Sequence, residues 1–264
     1  VKLKVLDLFS GVGGFSLGLE RTGGFETVAF CEIEEYPRKV LKKHWPEVPI
    51  YEDIKKLTAE RLDASGIECD VITGGFPCQD LSVAGSQKGI HAERSGLWGE
   101  LCRIISEVRP KYAIVENVTA LLSGDRGKWF QRVLGELAEI GYDCQWHCIR
   151  ASDIGAEHRR DRVWIICYPN DKSEPACAID DEAQMLQEHG SDSDETQLKR
   201  RRLSSRIQQE YANTSNSRWG KDKPGVDRTS NGIPSQMDRL GCLGNAVVPQ
   251  IPELIGRAIL EAEK

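Results

Sequence analysis

Cys78 and Glu116 are the two residues of this chain whose surroundings suit covalent chemistry. Cys78 lies in Gly74-Gly75-Phe76-Pro77-Cys78-Gln79-Asp80-Leu81-Ser82, directly after the apolar run Val71 to Thr73. A cysteine acts as a nucleophile when it is exposed and its proton can leave, whereas most free cysteines fill apolar cores; both readings of Cys78 stand at this level. Glu116, followed by Asn117, closes a second apolar run, Tyr112 to Val115. If both runs are strands of one open α/β sheet, their carboxyl ends share a rim, where a carboxyl group raised by burial can pass a proton beside a thiol.

A third cluster is rich in glycine: Asp7-Leu8-Phe9-Ser10-Gly11-Val12-Gly13-Gly14-Phe15 joins a strand-like run to the helix-like segment Phe15 to Arg21. Such a turn lets a ligand approach the backbone and a helix N-terminus. It also serves as a purely structural tight turn, and its spacing is not the Gly-x-Gly-x-x-Gly of dinucleotide sites. Glu32 ends the next apolar run, roughly 20 residues on, where an acidic side chain either accepts from ribose hydroxyls or stands as a solvated carboxylate. Together the turn and Glu32 point to a nucleoside-type cofactor.

These groups need elements that bring strand ends together. Strand-like runs are Lys4 to Phe9, Thr27 to Cys31, Val71 to Thr73, Tyr112 to Val115, Cys144 to Ile149 and Arg162 to Cys167. Between them, Leu97, Leu101, Ile104, Ile105 and Val108 share one helical face, as do Phe130, Val133, Leu134, Leu137 and Ile140. The alternation predicts a parallel sheet flanked by helices. From Ser173 to Gln236 the chain turns polar, with acidic clusters ahead of the basic run Lys199 to Arg202. Apolar patterning returns at Leu240 to Leu260, where Pro249 and Pro252 precede an expected helix over Glu253 to Glu261. The expected organisation is a core of residues 1–172 and 237–264 interrupted by a short polar insert, 173–236.

Composition narrows the function. With 264 residues, 39% hydrophobic and 29% charged, the chain can bury a core and is not disordered throughout. The run Val163 to Tyr168 is far below the ~20 residues of a bilayer helix, and no charged-then-apolar leader precedes Leu3, so a cytoplasmic protein without membrane contact is expected. Nine cysteines, an odd number, then read as reduced thiols. No Cys-x-x-Cys pair occurs, and Cys144 and Cys148 lie on one strand-like segment, so no metal is expected. A net charge of -6 excludes a nonspecific coat on nucleic acid; any such site must be locally basic.

Five segments, in order, resemble the DNA (cytosine-5)-methyltransferase family, in feel its phage and prophage-like bacterial branch: Asp7 to Phe15, Gly75 to Ser82, Glu116 to Val118, Arg160-Asp161-Arg162, and Gly244-Asn245-Ala246-Val247-Val248-Pro249. The resemblance implies a Rossmann-like S-adenosylmethionine-dependent methyltransferase fold with 173–236 as target-recognition insert. For the cofactor it implies Phe9 near the adenine, and Ser10, Gly11, Val12, Gly13 and Gly14 near the methionine end. Glu32 would hold the ribose, Ile33 would pack on the adenine, and Asp53 with Ile54 would meet its amino edge. Pro77, Leu97, Asn245 and Ala246 would complete the pocket. Ile33, Ile54 and Leu97 fit equally well as core residues.

In the implied chemistry Cys78 adds to cytosine carbon 6, Glu116 protonates or stabilises ring nitrogen 3, Arg162 binds the base carbonyl, and Arg160 supports the site. Both arginines otherwise read as surface charges. The cytosine must be flipped out of duplex DNA. The implied DNA contacts are Gln79, Ser82, Lys88 and Arg94 around the loop after Cys78, and Lys199, Arg200, Arg201, Arg202 and Arg206 in the insert. The resemblance implies a monomer acting on double-stranded DNA and leaves open whether a cognate restriction endonuclease exists. His158 departs from the glutamine many members carry, and the insert is short and polar. Two other readings share the catalytic parts: a tRNA cytosine-5 methyltransferase and a noncatalytic DNA-binding remnant. A nicotinamide oxidoreductase fits the glycine turn but leaves Pro77-Cys78-Gln79 unexplained.

Overall fold

The computed structural model describes residues 1–76, 96–156, 158–170, 205–209 and 246–264. Pro77, Cys78, Gln79, Ser82, Lys88, Arg94, Lys199, Arg200, Arg201, Arg202 and Asn245 lie outside the described residues.

The chain alternates strands and helices. It runs β1 (Leu3–Leu8), α1 (Gly14–Arg21), β2 (Phe25–Cys31), α2 (Glu35–His44), β3 (Ile50–Tyr51), α3 (Ala59–Ala64), β4 (Val71–Gly75) and α4 (Leu97–Val108). Then come β5 (Tyr112–Val118), α5 (Ala120–Ser123), α6 (Lys128–Glu139), β6 (Tyr142–Arg150), β7 (Asp161–Pro169) and α7 (Gln250–Ala262). The strands form one seven-stranded sheet in the order β3-β2-β1-β4-β5-β7-β6. This is a Rossmann-like α/β arrangement.

Central strands are apolar on both faces, because each side is covered. Leu6 and Leu8 of β1, Ile72 of β4 and Val115 of β5 join Leu101, Ile104 and Ile105 of α4 and Val133 and Leu137 of α6 in one layer. Val5, Val71 and Ile114, from the opposite faces of the same strands, join Phe15 and Leu19 of α1 and Ile251, Leu254, Ile255 and Ile259 of α7 in the other. Burial of each such side chain contributes about 1.5–3 kcal/mol. The helical faces expected for α4 and α6 both pack on the sheet.

The parallel sheet expected from the alternation is corrected in one respect: the sheet is mixed. β7 is antiparallel to both β5 and β6. Residues 151–160 join β6 to β7, too few for a parallel crossover and its helix but sufficient for an antiparallel return. α7 begins at Gln250, earlier than expected, and contains Pro252 in its first turn. A proline is tolerated there because its missing N–H would have no partner within the helix. Inside the polar insert, the helical residues 205–209 place Ile207 in the layer of α1 and α7.

Candidate active site

β1 ends at Leu8, and the glycine turn turns the chain back into α1. Gly11 and Gly13 have φ of +52° and +84°, where side chains are strained. A Cβ on Gly13 would lie 2.7 Å from the Trp45 ring, and one on Gly14 would lie 2.5 Å from the Val247 carbonyl oxygen. The turn is therefore held between the end of α2 and the segment that leads into α7. At Gly11 a Cβ would meet nothing within 4 Å, so one side of the turn is open. Phe9, at φ 52°, packs partly against the α4 layer. Ser10 donates through Oγ to the Asp7 carbonyl at 2.5 Å, and the Cys31 amide donates to that Oγ at 3.3 Å, which ties the turn to β2. Val12 and Ala246 are half-buried.

Glu32 faces this turn. Its Oε2 accepts from the Gly11 amide and its Oε1 from the Glu34 amide, both at 2.8 Å. Each carboxylate oxygen keeps a further lone pair, so hydroxyl donors can still be accepted. Of the three expected apolar contacts, Ile33 is 71% exposed, Ile54 is core, and Leu97 packs half-buried against the core at the start of α4. Asp53 accepts from the Lys55 amide at 3.0 Å and caps the turn that carries Ile54. Exposure beside Glu32 leaves Ile33 available to a ring. Burial gives Ile54 a supporting place instead.

Beneath the turn, Asp7 is fully buried and accepts from Ser16 Oγ at 2.8 Å and Thr73 Oγ1 at 2.7 Å. Its carboxyl joins β1, α1 and β4. Burial is the main cause that pushes its pKa up to about 7, and the two hydroxyl donors oppose it. Sequence reasoning gave Asp7 no role, because its partners stand far from it along the chain.

The second half of the site lies on the same rim. β1, β4 and β5 are neighbours, with Leu8 beside Gly74 and Gly75 beside Glu116. At about 4.8 Å between strands, the ends of β1 and β5 are about 10 Å apart across the rim. Reversal of β7 puts its first residues at the end of β5, with Val118 opposite Arg162. Arg162 Nε lies 2.8 Å from Glu116 Oε1. Glu116 is buried, and that burial raises its pKa, opposed by the charges of Arg162 and Arg160. Arg160 reaches this position with φ 30°, a conformation rare outside glycine.

A Cβ on Gly75 would lie 3.1 Å from Glu116 Oε2, so β4 leaves the sheet against that carboxyl group and runs on in sequence to Pro77 and Cys78. Asn117, unassigned from sequence, fixes the exit: its Nδ2 donates to the Phe76 carbonyl at 2.9 Å, and its Oδ1 accepts from the Val118 amide at 2.8 Å. Arg206 is exposed and donates to Gln209 at 3.2 Å. Among the described residues, no helix is long and apolar enough to cross a membrane.

Residues 3–233 match the sequence model of the family described as C-5 cytosine-specific DNA methylase. The Type II methyltransferase M.Sau3AI of Staphylococcus aureus is 39% identical over 184 residues, covering 64% of this chain and 44% of the relative. The Type II methyltransferase M2.BsuMI of Bacillus subtilis is 36% identical over 187 residues, covering 66% and 46%. The chain thus spans about half the length of the curated relatives it matches. Among solved structures, the Entamoeba histolytica methyltransferase EhMeth superposes with a TM-score of 0.62 at 15% identity, over 100% of this chain and 99% of that one, a likeness of fold.

Proposed function

Because this chain belongs to the C-5 cytosine-specific DNA methylase family, we propose that it methylates carbon 5 of a cytosine flipped out of duplex DNA, with S-adenosylmethionine as methyl donor. The observation that carries this reading is the buried Glu116 carboxyl, 2.8 Å from Arg162 and against the strand end that leads to Cys78. The turn fits the cofactor: its glycines leave an open side, and Glu32 keeps free lone pairs beside the exposed Ile33.

When bound, S-adenosylmethionine supplies an electrophilic methyl group. Glu32 accepts the ribose hydroxyls, and Ile33 covers one face of the adenine. Glu116, raised by burial, holds a proton at ring nitrogen 3, while Arg162 turns from Glu116 toward the base carbonyl and donates to its oxygen. Both draw electrons from carbon 6, so the Cys78 thiolate adds there and carbon 5 becomes nucleophilic. After the methyl group is gained, loss of the carbon 5 proton expels Cys78 as thiolate. Arg160 adds positive charge beside the pair. Ser10, Gly11, Val12, Gly13, Gly14, Ala246 and Asn245 shape the cofactor cleft.

In the same reading residues 173–236 choose the target sequence and the remainder forms the catalytic domain. The Type II designation of the relatives supports a partner restriction endonuclease. The protein acts as a monomer in the cytoplasm. The relatives named above single out no phage branch.

The test is covalent trapping. Mixed-sequence duplex DNA containing 5-fluorocytosine, incubated with protein and S-adenosylmethionine, should yield a denaturant-resistant adduct, because fluorine does not leave as a proton does. Cys78→Ser should yield none. An adduct that persists in Cys78→Ser moves the nucleophile elsewhere, and trapping on fluorinated tRNA but not on DNA replaces the substrate.

A further inference from the structure

The rim beside Glu116 carries two arginines that the chemistry on the base does not use. Residues 151–160 leave the sheet between β6 and β7 and return, with the Ala151 amide donating to the Arg160 carbonyl at 3.3 Å across the neck. Arg150, the last residue of β6, pairs in register with Asp161, the first of β7, and Arg159 stands just before the neck closes. Asp161 receives both: Arg150 Nε lies 3.5 Å from its Oδ1 and Arg159 Nε 3.2 Å from its Oδ2. The arginine side chains are 53% and 73% exposed. The next residue, Arg162, turns on the other face of β7 to the buried Glu116.

The rim is thus graded. Its inner pair is largely buried, and its outer group holds two guanidinium ions on one carboxylate, a local excess of cation in a chain whose net charge is -6. Exposed ion pairs of this kind add little stability, about 0–1 kcal/mol each. Their position says more. Arg150 and Asp161 are strand residues, so one cation and the carboxylate that holds both sit on the edge of the sheet. A guanidinium presents a planar fork of donors that matches phosphate oxygens.

We propose that Arg150 and Arg159 bind the phosphodiester groups flanking the flipped cytidine. A base that enters between Glu116 and Arg162 leaves its sugar and phosphates at the sheet rim, and along that rim Arg150 and Arg159 stand exposed at the β6–β7 pairing. Asp161 keeps both side chains extended along the edge until phosphate replaces it. This inference rests on the proposed DNA substrate and adds a positioning site to it.

The experiment measures equilibrium binding of a mixed-sequence duplex at several salt concentrations, with S-adenosylmethionine affinity as the check on folding. Arg150→Gln and Arg159→Gln should each reduce the slope of log affinity against log salt by about 0.9, and the double variant by about twice that. Lys39→Gln, on α2 and away from this rim, should keep the wild-type slope. A double variant that binds cofactor normally and keeps the wild-type slope overturns the phosphate site alone. A wild type that binds cofactor but shows no salt-dependent affinity for DNA overturns the DNA reading itself, and the phosphate site with it.

Discussion

The two ends of the sheet rim are built from different materials. At the β1–β2 end, a carboxylate is satisfied by backbone amides of Gly11 and Glu34, and the space is made by glycines. At the β5–β7 end, a carboxyl group is satisfied by a guanidinium from the neighbouring strand. The first end is sensitive to added atoms, since a Cβ at Gly13 or Gly14 meets a ring or a carbonyl, and little affected by salt. The second is sensitive to charge. A cofactor of fixed shape suits the first construction, and a base whose protonation changes during reaction suits the second.

Removing charge at the second end should have the largest effect. Glu116→Gln is expected to lower methyl transfer at saturating DNA by about 10²–10⁴-fold, the span of a lost general acid. Calorimetry should find its cofactor affinity unchanged. Equal losses in transfer and cofactor binding would erase the division between the ends. Glu32→Ala comes next: a charge-assisted contact to ribose is worth roughly 1.5–3 kcal/mol, so S-adenosylmethionine should bind about 10–150-fold more weakly. An unchanged affinity removes Glu32 from the cofactor site.

Gly13→Ala tests the sensitivity to atoms. A left-handed alanine costs about 1–2 kcal/mol before its contact with Trp45 is counted, so thermal unfolding should shift down by several degrees. Trp45→Leu in the same chain should relieve the contact and leave the backbone cost.

The effect at Asp7 is read as a slope against pH. Its folded pKa is about 7 against an ordinary 3.8. Between those values the folded chain holds a proton that the unfolded chain has lost. The associated stability is full below pH 3.8 and is lost as pH rises through about 7, by at most about 1.4 kcal/mol per pH unit. Denaturant unfolding of Asp7→Asn should be flatter than wild type across that window. Matching slopes would mean that Asp7 folds already ionised.

The contrast between the ends also decides what was legible in the sequence. The turn from Asp7 to Gly14 and the carboxylate of Glu32 are local features, and strand ends were found to within about three residues, the usual uncertainty of such boundaries. The direction of β7 was not readable, since apolar runs look alike in parallel and antiparallel strands; Arg162 was placed by resemblance, and only the reversal explains how it reaches Glu116. Ile33 and Ile54 each follow an acid, and nothing local shows which of them meets solvent. The partner of Gly14 is a carbonyl oxygen of Val247, and a backbone atom leaves no mark in the side-chain pattern. β3, two residues long, is set by pairing to β2 rather than by its own composition.

Gly18 and Gly256 let α1 and α7 approach closely: a Cβ on the first would lie 2.1 Å from the Pro249 carbonyl, and one on the second 2.9 Å from Leu19. The glycine turn thus leans on residues far along the chain, beyond β7. A nascent chain that has emerged only as far as β7 has the seven strands of the described sheet yet lacks the buttress behind its glycine turn. The same contact divides the seam between distant parts of the chain: α1 before the sheet is built and α7 after it supply complementary halves of one helical contact.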